Sequence, residues 1–166
     1  MLYKGNTAKE SSNGGQYSPG VFKFKVVSSG MNDWGNLNFE LKTWSEDGKE
    51  GPKILDTLRF STESEAMKAE VDRRLTVMLG KPEIEAEGDI VGKTGYVILR
   101  KGPKYLEPAP FGGYFDKEKK SSTGNAESIL EAIKSAIEYD YTKDAYAMKK
   151  LGGEAPKADN GDSLPF

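Results

Sequence analysis

The chain has 166 residues, 24 Lys and Arg against 26 Asp and Glu, a formal net charge of -2, and neither cysteine nor histidine. That composition excludes a disulfide framework, a thiolate nucleophile, a Ser-His-Asp triad and an ordinary zinc site, so catalysis would have to rest on carboxylates, Lys, Tyr or a bound Mg²⁺. The expectation is one domain of ordinary size with appended segments, not an enzyme, needing no cofactor and no metal. The apolar runs are short, as in Tyr96-Val97-Ile98-Leu99, far below the ~20 residues of a membrane span. Met1 to Gly5 lack the apolar stretch of a signal peptide, so the expected compartment is the cytoplasm, with no membrane partner.

Residues 1–20 are polar and glycine-rich and read as a flexible arm. A first strand is predicted over Val21 to Val27, because Phe22, Phe24 and Val26 alternate with Lys23 and Lys25. Ser28 to Gly35 reads as a turn carrying Trp34. A second strand is predicted over about Asn36 to Trp44, with Leu37, Phe39 and Leu41 on one face and Asn38, Glu40, Lys42 and Trp44 on the other. Asp47-Gly48 marks a hairpin turn. A third strand over about Lys53 to Phe60 has Ile54, Leu58 and Phe60 in phase.

A helix follows. Thr62 and Glu65 have the spacing of a capping box. Met67, Val71, Leu75 and Met78 form one helical face, and Gly80 and Pro82 end it. After an acidic connector, Glu83 to Asp89, a fourth strand is predicted over Val91 to Arg100. A shorter strand region spans Tyr105 to Phe115. Three strands, a helix and two strands is the element order of the OB-fold, a five-stranded barrel. The predicted class is therefore mainly β, with residues 21–115 as the barrel; another small barrel or sandwich with a helix packed on one side is the alternative. A polar linker, 116–124, leads to a helical segment, 125–150, capped by Asn125. Its stripe runs through Leu130, Ile133, Ile137, Tyr141, Ala145 and Met148, with a break near Asp140. Residues 151–166 read as a disordered acidic tail. They hold Glu154, Asp159 and Asp162 against Lys157, which accounts for the whole net charge and leaves the first 150 residues balanced.

Two catalytic patterns fail. Gly92-Lys93-Thr94 could end a phosphate loop, but that loop needs Gly where Glu87 stands and a helix where a strand follows. Glu83, Glu85, Glu87 and Asp89 have no fitting Lys for a Mg²⁺ nuclease and read better as a solvated connector. What remains is cations interleaved with rings, the requirement of a single-strand binder: cations neutralise phosphates, and unpaired bases stack on aromatic faces. The strand phases put Lys23, Lys25, Lys42 and Trp44 outward. The stretch from Lys93 to Lys104 carries Lys93, Arg100, Lys101 and Lys104 without an acid, with Tyr96 inside it and Tyr105 just beyond. Trp34 joins this candidate DNA-binding set, although a lid over the barrel end explains it equally. Lys alternating with apolar residues is also the ordinary pattern of a half-exposed strand.

The segment Asp159-Asn160-Gly161-Asp162-Ser163-Leu164-Pro165-Phe166 resembles the C-terminal tip of bacterial and phage single-stranded DNA-binding proteins, where acids precede an aliphatic residue, Pro and Phe. The glycine-rich arm, strand spacing and extra helix look more like the phage-encoded type. The resemblance implies that the chain coats single-stranded DNA during replication, recombination or repair. It also implies that Phe166 and Pro165, supported by Leu164, dock replication or recombination proteins in an apolar pocket, with Asp159 and Asp162 meeting its basic rim. This chain has only two acids there, broken by Asn160 and Gly161. A protein-protein adaptor without DNA binding is the alternative, and a Mg²⁺-dependent nuclease is a third reading.

Overall fold

The computed structural model describes residues 17–120 and 128–154, of which 151–154 by backbone alone. Its strands are β1 (Gly20–Met31), β2 (Leu37–Trp44), β3 (Ile54–Leu58), β4 (Thr94–Lys101), β5 (Leu106–Pro108) and β6 (Tyr114–Phe115). Helix α1 (Glu65–Leu79) lies between β3 and β4. Helix α2 (Ser128–Glu138), a 3-10 turn (Tyr141–Lys143) and helix α3 (Ala145–Glu154) follow the strands.

The sheet order is β3-β2-β1-β4-β5, with β6 also paired to β4. Strands β5 and β6 share one edge of β4 and form a single interrupted fifth strand. Ile98 brackets the interruption: its carbonyl accepts from the Ala109 N–H at 2.9 Å and its N–H donates to the Gly113 carbonyl at 2.8 Å. The architecture is thus a nearly closed five-stranded barrel with OB-like topology, the expected class. A Cβ on Gly95 would sit 2.5 Å from the Phe115 carbonyl and 2.9 Å from the Phe24 ring, so glycine is required where β4 crosses its neighbours.

The period-two pattern of β1 and β2 directs the core. Phe22, Phe24, Val26, Leu37, Phe39 and Leu41 are buried and pack with Ile54, Leu58, Val97, Leu99 and Tyr114. From α1, Val71, Leu75 and Met78 join them as expected. Gly80 ends this helix in the left-handed conformation at φ 82°.

No strand ladder joins β3 to β5 among the described residues, and side chains fill that seam. Arg74 of α1, 5% exposed, donates from Nε to Glu70 at 2.8 Å, from Nη1 to Asp56 of β3 at 3.1 Å and from Nη2 to the Pro110 carbonyl at 3.0 Å. Tyr114 donates its hydroxyl to Asp56 at 2.6 Å, and Arg74 stacks over its ring at 4.6 Å. Glu70, fully buried, also accepts from Arg73 and from the Gly112 N–H. Buried charges need this degree of pairing to be tolerated.

Several expectations need correction. Ser28 to Met31 are strand, not turn: after a register shift at Val26/Ser28, β1 stays paired with β2 as far as Met31↔Leu37. The cap of α1 is Ser64, whose hydroxyl accepts from the Met67 N–H, and not Thr62. Strand β4 starts at Thr94 instead of Val91, because the preceding residues form tight turns such as Lys93 N–H to the Ile90 carbonyl. Helix α2 buries Ile129 and Ala136, with Ile133 packed beside them, against Ile98 and Phe115. Of the predicted stripe, Ile133 packs on the barrel, while Leu130 and Ile137 are 68% and 59% exposed. Apolar residues stand on both faces of that helix, so periodicity alone does not select the buried one. The break at Asp140 is present, with Asp140 capping the 3-10 turn, but the last helix runs past residue 150 to Glu154. The arm to residue 16, the Asn125 cap and the tail from 155 lie outside the described residues.

Two tyrosines give an alkaline signature. Burial, reinforced by Asp56, holds the Tyr114 phenol well above its ordinary value. Burial and the hydrogen bond to Asp144 push Tyr139 up to about 12. An unfolded tyrosine ionises near ~10. Both groups therefore contribute full stability below that pH, lost as pH rises through their folded values. In a near-ultraviolet absorbance titration of the 8 tyrosines, these two are expected to ionise last, Tyr114 only with unfolding. Ionisation of all of them together near pH ~10, in a chain still folded, would contradict this.

Candidate nucleic-acid interface

The register of three strands assembles the site. Lys23 of β1 stands opposite Trp44 of β2 on one side and Tyr96 of β4 on the other. Two residues along, Lys25 stands between Lys42 and Thr94. The intervening residues Phe24, Thr43 and Gly95 point into the barrel and are buried, so both rows face outward. Adjacent strands lie ~4.8 Å apart, which sets Trp44 and Tyr96 about 10 Å from each other across Lys23. Lys23, Lys25 and Lys42 are exposed, and the two rings are half-buried. The Lys42 ammonium lies 5.6 Å from the centre of the Trp44 ring. These six positions hold three cations, two aromatic rings and no acid.

Cover on either flank defines this platform. Toward the start of β1, helix α2 packs over Ile98, with Val21 and Tyr96 partly buried in the same cluster. Toward its end, β1 meets Glu40 of β2, paired with Lys53 at 3.8 Å. Lys93 lies just outside, on the turn into β4. Its carbonyl accepts from the Val26 N–H at 2.9 Å, and it lines an open cleft of about 490 Å³ with Met78, Asp116 and Lys117.

The other candidates stand elsewhere. Trp34 is 77% exposed in the β1–β2 turn, where Asn32 Oδ1 accepts the N–H groups of Trp34 and Asn36. The turn lies beyond Leu37, and that residue alone is roughly 23 Å along β2 from Trp44. Arg100 is engaged: its Nε donates to Glu107 at 3.0 Å and its guanidinium stacks 3.7 Å from the centre of the Tyr139 ring. It fastens the C-terminal helices to the barrel. Lys101 at the end of β4, and Lys104 and Tyr105 of the β4–β5 turn, are exposed; the Gly102 N–H closes that turn on the Tyr105 carbonyl. Lys101 is roughly 17 Å along β4 from Tyr96, with the α2-covered Ile98 between them. The tail candidates Asp159, Asp162, Leu164, Pro165 and Phe166 lie outside the described residues.

The structure adds Lys119 and Glu46, which reach the platform from the turns after β6 and β2. Lys119 Nζ is 2.6 Å from the Glu46 carboxylate and 5.2 Å from the centre of the Tyr96 ring. Strand phase could not supply them, because both lie in turns. The acidic connector is explained structurally: Asp89 accepts the N–H groups of Glu85 and Ala86, and Glu87 accepts that of Met31. Among the described residues no three acidic side chains gather where a metal ion could be held, and no helix is long and apolar enough to cross a membrane.

No protein-family model matches the chain, and no curated protein matches it.

Proposed function

We propose that this chain binds single-stranded DNA without catalysis, on the outer face of β2, β1 and β4. The observation that supports this reading is the row Trp44–Lys23–Tyr96 beside Lys42–Lys25. Phosphates meet the ammonium groups along the middle strand, and unpaired bases lie on the rings to either side. Duplex DNA hides its base faces, so stacking of this kind favours single strands. Coating of exposed strands in replication, recombination or repair is the corresponding role. The segment Asp159 to Phe166 would add recruitment of replication proteins, with Phe166 and Pro165 as apolar anchors.

The test is a titration with a labelled dT oligomer over a range of salt. Affinity is expected to fall by roughly 0.7 log units per log unit of salt for each phosphate contact, with duplex bound more weakly. Deleting residues 159–166 is expected to leave dT affinity equal or slightly higher and to abolish capture of a replication protein. A flat salt response would defeat the phosphate reading. One observation favours the adaptor alternative: Leu130 and Ile137 present apolar surface on α2. That reading requires no salt-sensitive dT binding at all.

A further inference from the structure

Among the described residues, Lys119 is the one non-glycine residue with a left-handed backbone, at φ 66°. Conformations of this kind persist where the surroundings fix them, and they draw attention to the side chain so placed. Asp116 fixes this one. Its carbonyl accepts the Lys119 N–H at 2.8 Å, and its Oδ1 accepts the N–H groups of Glu118 and Lys120, each at 2.9 Å. The turn follows β6, which lies beside β4. From there Lys119 passes the Tyr96 ring and meets Glu46, two residues beyond Trp44. Tyr96 and Trp44 flank β1 on opposite sides, so this ion pair spans the platform from its β4 side to its β2 side.

The pair is open to water: the two side chains are 44% and 47% exposed. Exposed pairs contribute little to stability, so replacing one partner costs little. A phosphate offers Lys119 the same charge-assisted hydrogen bond as a carboxylate. Resting on the proposed function, we propose that the Lys119–Glu46 ion pair is an exchangeable clasp across the single-strand platform, opened when a DNA phosphate replaces the Glu46 carboxylate on Lys119. Glu46 is then an internal competitor of the ligand, and Lys119 a phosphate contact that also uncovers the Tyr96 ring for stacking.

The experiment measures dT-oligomer affinity and its salt slope for the full chain, Glu46→Gln and Lys119→Asn. Asn tolerates the left-handed backbone, so this variant keeps the turn and loses the amine; thermal melts verify folding of both. Glu46→Gln is expected to tighten binding by about two- to fivefold, the scale of one exposed ion pair. Lys119→Asn is expected to weaken binding and to reduce the salt slope by roughly 0.7, one phosphate contact. An unchanged slope in Lys119→Asn, or unchanged or weaker binding in Glu46→Gln, overturns the clasp. If the unsubstituted chain binds dT with a normal salt response and the variants match it, the clasp alone falls. If the unsubstituted chain does not bind dT, the proposed function falls and the clasp with it.

Discussion

Arg74→Met is expected to cost about 3–5 kcal/mol of stability, the scale of breaking a buried ion pair by removing one partner. Methionine fills most of the arginine's volume, so the loss is electrostatic and not a cavity. Arg74 holds three partners at the β3–β5 seam: Glu70, Asp56 and the Pro110 carbonyl. Removing the guanidinium leaves the fully buried Glu70 with only Arg73 and a backbone N–H, and leaves Asp56 with the Tyr114 hydroxyl and the Thr57 N–H, without a counter-charge among the described residues. Glu70 then keeps a single, partly exposed counter-charge in Arg73, so only part of the several-kcal/mol desolvation penalty of a buried carboxylate is offset. Urea unfolding measures this: the midpoint should fall with little change in slope. Adding Glu70→Gln to Arg74→Met should recover part of the loss, since the two residues share one network. A loss below about 1 kcal/mol, the scale of a surface pair, would show that the seam does not depend on this arginine.

The second large effect concerns binding. Trp44→Ala is expected to weaken dT affinity by ~1–3 kcal/mol, as for one stacked base. The melting temperature should fall modestly, because the ring lies on the outer face but is partly buried, so affinity is compared at a temperature where the variant is folded. Trp34→Ala is expected to change neither quantity appreciably. Trp34 is exposed in a turn far from the lysine row, and its backbone is held by Asn32, not by its own ring. Loss of affinity in Trp34→Ala with Trp44→Ala unaffected would move the interface to the β1–β2 turn.

The sequence displays some of this architecture and conceals the rest for identifiable reasons. Alternation of Phe22, Phe24 and Val26 with lysines specifies which face of β1 is buried, and the same holds for β2. Strand phase therefore puts Lys23, Lys25, Lys42 and Trp44 on one side of the sheet. Phase does not say which strands are neighbours, nor what covers an outer face. The acid-free run from Lys93 to Lys104 thus reads as one basic patch, although α2 divides it and Arg100 is taken up by Glu107 and Tyr139. The buried network is equally hidden. Glu70 and Arg74 are four residues apart on α1, a spacing shared with every exposed helical ion pair. Apart from Arg73, their partners come from β3 and from the loop before β6, away from the helix in sequence. Helix α2 shows the limit of periodicity, with Ile129 beside Leu130 and Ala136 beside Ile137. Only the position of β4 and Phe115 decides which pair faces inward.

Single-stranded DNA is proposed to lie across β2, β1 and β4. The chain has 2 tryptophans, so Trp34→Phe leaves Trp44 as the sole indole, within the claimed interface. Titrating that variant with unlabelled dT oligomer while following tryptophan emission reports whether the strand reaches this face. Emission should be quenched with the midpoint found for binding of a labelled oligomer, and should recover as salt dissociates the complex. Unchanged Trp44 emission while the oligomer is demonstrably bound would contradict the placement of DNA on this face.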